Sequence, residues 1–342
     1  MSITVVVCRD YDAISEAGAV FVRDRVNAAV SAPAGRFVLG LATGNSPTGM
    51  YKHLARSANS GLFDASRVCS FNLDEYVGLP GENAQDRATH PESYSYFMIQ
   101  EFFGLLKRKF GTTRVPPGTL IDQSVLAGEL AGHPGEWREA GTGAGRAIII
   151  DESARGYLGW VRDEVLGAYD RQIQSAGGVD LQVIGVGGKG HVAFHEAGID
   201  FCGSRMLLVK LDDNTVANAV SDGHFSSSSD CPLYAVSMGA ELVFEARTVV
   251  LLADGARKVE PVARALLGDV TTEVPLSFCQ EFSRRGGELV CFVDRVVGGE
   301  LLKNRDLLSA RGIVVDDRSD VPAAVKVCDI KFFRDPESGR LC

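Results

Sequence analysis

The feature that most restricts this chain is a recurring short apolar run, rich in β-branched residues, separated from the next by a longer amphipathic stretch. Residues 3–7, 36–42, 67–71 and 181–186 are such runs, and 248–253 and 288–293 repeat the pattern later. A strand that is apolar throughout has to be covered on both faces, a condition met by parallel sheets flanked by helices. Between the first two runs, Ile14, Ala17, Phe21 and Val26 recur at roughly helical spacing within residues 13–30. Strand, helix and strand in that order make a βαβ unit, and residues 248–253, 256–267 and 288–293 repeat it. The pattern predicts an α/β fold with a doubly wound, mostly parallel, Rossmann-like sheet carrying helices on both faces.

At 342 residues and 45% hydrophobic content, the chain holds enough apolar material for one large core, so a single domain over residues 1–342 is expected. Residues 116–145 break the pattern. They are rich in Gly and Pro, weakly periodic, and end in Gly141-Thr142-Gly143-Ala144-Gly145, so residues 108–150 read as a central insertion or flap. Residues 301–342 read as a C-terminal extension with one helix, a strand at 313–315 and a loosely held charged end.

A formal charge of -9 argues against broad nucleic-acid contact, which requires clustered cations, while leaving room for a local cationic pocket. The eight cysteines show no CxxC pair and no disulfide-framework spacing, and read as reduced core thiols. No apolar run reaches membrane-spanning length and the first residues do not resemble a secretory leader, so a cytoplasmic protein without membrane contact is expected.

In open parallel sheets, ligands gather outside the carboxyl ends of the strands. Four loops at such positions carry unusual chemistry. Residues 40–50, GLATGNSPTGM, lead from a strand into a helix; Thr43, Gly44, Asn45 and Ser46 offer amides and hydroxyls that could cradle a phosphate without formal charge. The same residues also fit an ordinary turn capped by Ser46. Beyond the next strand stand Asp74 and Glu75, adjacent carboxylates suited to acid–base work or to solvated turn positions. Residues 90–103 then read as an aromatic helix used for packing.

The third loop, residues 185–196, reads GVGGKGHVAFHE. Its glycines admit a ligand closely, while His191 and Glu196 supply a group titrating near neutrality and an anion to orient it. His195 raises the question of a metal site, but the loop offers no third ligand, and no metal is expected. In the fourth loop Arg257 and Lys258 follow Asp254 and Gly255 at a strand end, as cations for an anionic substrate or as a solvated helix face.

Taken together, residues 71–80, 90–98 and 185–196, supported by 40–54 and 237–258, resemble the glucosamine-6-phosphate deaminase and isomerase family, which is related in fold to 6-phosphogluconolactonases. The resemblance covers residues 2–98 and 178–294. It implies a phosphorylated sugar as partner and no cofactor. It further implies that Thr43 through Ser46 and Lys258 hold the sugar phosphate, that Asp74 carries a proton between C2 and C1, and that His191, oriented by Glu196, opens the ring. The implied reaction is conversion of glucosamine 6-phosphate, or a close relative, to a ketose phosphate with loss of ammonia. A homo-oligomer is compatible with the sequence. Two other readings use the same pocket: a lactonase-like hydrolase, against which Asp74-Glu75-Tyr76 argues, and a sugar-phosphate sensor that has lost turnover.

Two positions depart from the family pattern. Lys189 stands where the family has an aspartate two residues before the histidine, which inverts a charge expected beside His191. Residues 214–225 contain no arginine, where the family has a phosphate-binding one.

Overall fold

The computed structural model describes residues 2–32, 35–221 and 223–332. Among these, the strands in chain order are β1 (Ser2–Cys8), β2 (Phe37–Leu41), β3 (Val68–Asn72), β4 (Asp74–Val77), β5 (Thr112–Arg114), β6 (Trp137–Ala140) and β7 (Arg146–Ile150). They continue with β8 (Leu181–Ile184), β9 (Met206–Lys210), β10 (Tyr234–Met238), β11 (Thr248–Ala253), β12 (Glu288–Val293) and β13 (Ile313–Arg318). Eight strands pair in the order β13-β1-β12-β11-β8-β2-β3-β5, and each of these pairings is parallel.

The apolar runs produce this sheet because successive side chains point to opposite faces and both faces are covered. In β11, Val249, Leu251 and Ala253 enter one core while Val250 and Leu252 enter the other; β1 divides likewise, with Ile3, Val5 and Val7 against Val6 and Cys8. The helix Tyr11–Val30 starts at Asp10, whose carboxylate accepts from the Ala13 amide, and buries Ile14, Val22 and Val26. Burying each such aliphatic side chain stabilises the fold by roughly 1.5–3 kcal/mol.

A second, antiparallel sheet, β4-β10-β9-β7-β6, has no counterpart in the sequence reading. It too is covered on both faces: Leu207 and Val209 pack on one side and Leu208 on the other. The chain passes between the sheets at Leu73, whose N–H donates to the Leu41 carbonyl at 3.0 Å and whose carbonyl accepts from the Met238 amide at 2.7 Å. Asp74 therefore stands where the two sheets meet.

Residues 108–150, read from the sequence as an insertion or flap, supply the edge strand β5 of the parallel sheet and β6 and β7 of the antiparallel one. Of residues 301–342, the helix Arg305–Ala310 and the edge strand β13 belong to the parallel layer. The charged chain end, residues 333–342, lies outside the described residues. Among the described residues, Cys8, Cys69, Cys202, Cys231, Cys279, Cys291 and Cys328 are free thiols, and no helix is long and apolar enough to cross a membrane.

Candidate active site

Strand order decides where the four loops meet. Because β11, β8, β2 and β3 are consecutive neighbours, the loops leaving their carboxyl ends adjoin, and they enclose a cavity of about 500 Å³. Thr43, Gly44, Asn45, Ser46, Asp74, His191 and Lys258 all line it; Glu196 stands behind His191.

The helix Asn45–Asn59 begins at the cavity wall. Its N-cap is Gly44, at φ 90°, with no side-chain cap, so the expectation of a turn capped by Ser46 is not met. Ser46 lies inside the first turn and its hydroxyl donates to Asp254 Oδ1 at 2.7 Å. What this end offers an anion is backbone: first-turn amides lack intrahelical partners and carry the positive end of the helix dipole. Lys258 lies on the same cavity, its Nζ 2.5 Å from the Val186 carbonyl that ends the β8 connection.

Asp74 and Glu75, adjacent in sequence, point apart because they are neighbours on a strand. Asp74 faces the cavity, and burial, followed by the charge of Glu75, pushes its carboxyl well above the usual carboxylate range. Glu75 faces away and accepts from the Tyr94 amide at 2.9 Å, the Ser95 amide at 3.0 Å, the Ser95 hydroxyl at 3.0 Å and the Tyr76 amide at 3.0 Å. It thus anchors the start of the helix Tyr94–Glu101. Burial raises its carboxyl to about 7, with those hydrogen bonds pulling in the opposite direction.

In the third loop, the imidazole of His191 rests with Nδ1 3.4 Å from Glu196 Oε2. Glu196 is only 2% exposed; its other oxygen accepts from the Thr215 hydroxyl at 2.6 Å. Burial pushes this carboxyl up, but His191 and the Thr215 hydrogen bond outweigh it and the net shift is downward. His195 is turned out of the site. Its Nδ1 accepts from the Ala240 amide at 3.0 Å and its Nε2 lies 3.1 Å from the Ile199 carbonyl, which fixes a neutral tautomer. Burial lowers its titration to about 4. Among the described residues, no three His, Cys, Asp or Glu side chains converge on a metal position.

The arrangement sets a buried carboxylate and an imidazole on one hollow that also holds a helix start and a lysine. No protein-family model matches the chain. A glucosamine-6-phosphate deaminase of Clostridioides difficile (strain 630) is 33% identical over 277 residues, covering 81% of this chain and 89% of the relative. The chain belongs to the glucosamine-6-phosphate deaminase family. A second such deaminase, from Clostridium perfringens (strain 13 / Type A), is 34% identical over 244 residues, 71% of this chain and 80% of the relative. Among solved structures, a monomeric glucosamine-6-phosphate deaminase superposes with a TM-score of 0.65 at 25% identity, covering 87% of this chain and 100% of the other. A 6-phosphogluconolactonase from Trypanosoma brucei, at TM-score 0.54 and 18% identity over 87% of this chain and 98% of the other, shares the fold.

Within the family frame, the two departures take on definite geometry. Lys189 does not set its cation on the cavity; Nζ lies 3.0 Å from Asp212 Oδ2. Asp212 is buried, and its charge acts on Glu196 in the upward direction. Lys189 therefore pairs with a buried acid whose charge acts on Glu196, the partner of His191. In the segment that lacks arginine, His224 lines the cavity with Nδ1 3.0 Å from Glu92 Oε2.

Sequence reasoning missed His224, Thr215, Tyr76, Tyr94 and Phe194, which also form the wall. Tyr94 and Phe194 stack with ring centroids 6.0 Å apart, and Tyr76 lies 5.0 Å from Tyr94. One signal was in view: Gly141 through Gly145, left without a function, abuts the loop that carries Glu196. A Cβ on Gly145 would lie 2.5 Å from Glu196 Cγ, and the Thr142 amide donates to the Gly198 carbonyl at 2.9 Å.

Proposed function

We propose that this protein converts glucosamine 6-phosphate and water to fructose 6-phosphate and ammonia, using Asp74, His191 and Glu196 for chemistry and Thr43 through Ser46 with Lys258 for the phosphate. The observation that carries this reading is the convergence of Asp74 and His191 on one cavity closed at its end by the start of the helix Asn45–Asn59 and by Lys258. His191, held by Glu196, moves the proton that opens the pyranose ring. Asp74 takes the C2 proton and returns it to C1, so that C1 becomes a primary alcohol and the C2 amine an imine. Water hydrolyses the imine, giving the ketone and ammonia.

The raised proton affinity of Asp74 suits a base that must both take and return a proton near neutral pH. His224 places an imidazole on the wall where the segment lacks arginine. The test is a coupled assay of purified protein for ammonia and fructose 6-phosphate. Equimolar release of both supports the reading, and no turnover on glucosamine 6-phosphate, with intact fold, rejects it.

A further inference from the structure

A second and larger cavity, about 740 Å³, opens at the amino-terminal ends of β2 and β3 and beside β5. Arg36 precedes β2, Arg67 precedes β3, Arg114 ends β5, and Arg171 projects from the helix Ala168–Ser175 to complete the wall. We propose that this cavity is a binding site for a phosphate ester of nucleotide size, separate from the candidate active site and independent of the function proposed for it.

Charge is the first argument. The chain carries a net -9, yet this lining holds four arginines and no carboxylate. A concave surface of one sign concentrates field lines and attracts a counter-ion of matching size. Neutral acceptors help to hold three of the guanidiniums in place. Arg67 donates to the carbonyls of Val30 at 3.0 Å and Ala32 at 3.1 Å. Arg114 donates to the Thr112 hydroxyl at 3.0 Å and lies over the Phe71 ring, 5.3 Å from its centroid; Arg171 donates to the Asp163 carbonyl at 2.9 Å. Asp64 and Asp163, which act on Arg67 and Arg171, stand outside the wall and also pair with Arg108 and Arg162 respectively, and Asp180, which accepts from the Val38 amide at 2.7 Å, pairs with Arg247.

Shape and composition select the ligand. Guanidinium forks match phosphate oxygens in pairs, which a single carboxylate would not exhaust across four arginines. Val38, Val68, Ala168 and Ala176 add apolar wall for an organic body, and the volume falls in the range of sites that enclose small organic ligands. Cys69 lies on the same wall, its sulfur accepting from the Thr112 hydroxyl at 2.8 Å, and provides a chemical reporter.

The experiment is calorimetric titration of the full chain with ADP, with inorganic pyrophosphate and adenosine as comparisons. Saturable ADP binding is expected, weaker for adenosine, and reduced at least about tenfold by Arg36→Glu combined with Arg171→Glu. Both arginines are exposed, so the variant retains the fold and its turnover of sugar phosphate. Lys258→Ala leaves ADP binding unchanged. Bound ADP also slows iodoacetamide labelling of Cys69, read by peptide mass spectrometry, without slowing that of the exposed Cys202. Absence of saturable ADP binding overturns the proposal, as does loss of binding in Lys258→Ala but not in the double arginine variant, or labelling of Cys69 that ADP fails to slow.

Discussion

The ring of His191 occupies the space that a side chain on Gly187 would need: a Cβ built on Gly187 lies 1.9 Å from Nε2. The glycine is therefore part of the histidine's position, and Gly187→Ala expels the imidazole from its seat beside Glu196. We expect kcat to fall about 10–100-fold in that variant, the scale on which small misplacements of a catalytic group act. In a His191→Ala background the same substitution should cost little more. Additive losses in the double variant would show that Gly187 acts elsewhere.

Asp74→Asn keeps the shape of the side chain and removes the proposed base. The expected loss in kcat is about 10²–10⁴-fold, with affinity for the sugar phosphate changed only a few-fold. In the unmodified protein, the limb of the rate profile that rises with pH should lie well above the usual carboxylate range, because burial favours the protonated form. An equal loss of affinity and rate would contradict the separation of chemistry from binding.

Glu75 makes stability depend on pH. Its carboxyl titrates at about 7 when folded against an ordinary value of 4.5, so the folded state holds the proton more tightly. That contribution is fully present below 4.5 and is lost as pH rises through 7. The span corresponds to at most about 3 kcal/mol, and Asp74 acts in the same direction. Urea unfolding at about pH 5 and about pH 8 should therefore show a slope that is reduced in Glu75→Gln. An undiminished slope would assign the effect to other groups.

Lys189→Ala leaves the buried carboxylate of Asp212 less compensated, and its charge then acts more strongly on Glu196. Because the Lys189 side chain is 48% exposed, solvent screens the pair and the effect is modest: a loss of about 3–10-fold in kcat/KM. The acid limb moves to higher pH, since Glu196 then binds its proton more readily. A pH profile over the acid limb measures this, and an unmoved limb would detach Lys189 from the site.

Lys258→Ala removes a full charge from the end of the cavity proposed to hold the phosphate. KM for the phosphorylated sugar should rise about 10–100-fold with a smaller change in kcat, the scale of a charge-assisted hydrogen bond. Preference for the phosphorylated sugar over free glucosamine should shrink by the same factor. Steady-state kinetics on both sugars provides the check.

Much of the site was legible because its signals are local. Apolar β-branched runs identify strands wherever they sit, and glycines with hydroxyls, paired acids or a histidine just beyond a strand mark loops able to do chemistry. The antiparallel sheet was not legible. Its strands are short, and most acquire a partner from a distant segment, as where β4 pairs with β10 and β7 with β9.

By itself, then, the sequence determined the parallel layer and singled out Thr43 to Ser46, Asp74, His191, Glu196 and Lys258 as candidates, since propensity and side-chain chemistry reside in the residues themselves. Tertiary structure alone decided that β11, β8, β2 and β3 stand side by side, which turns four separate loops into one cavity. It also decided the direction of each side chain: Glu75 toward a helix start, His195 toward backbone, Lys189 toward Asp212, and His224 toward Glu92, 132 residues away in sequence. A buried charge or imidazole settles where donors and acceptors satisfy it, and those partners are brought within reach only when the chain has folded.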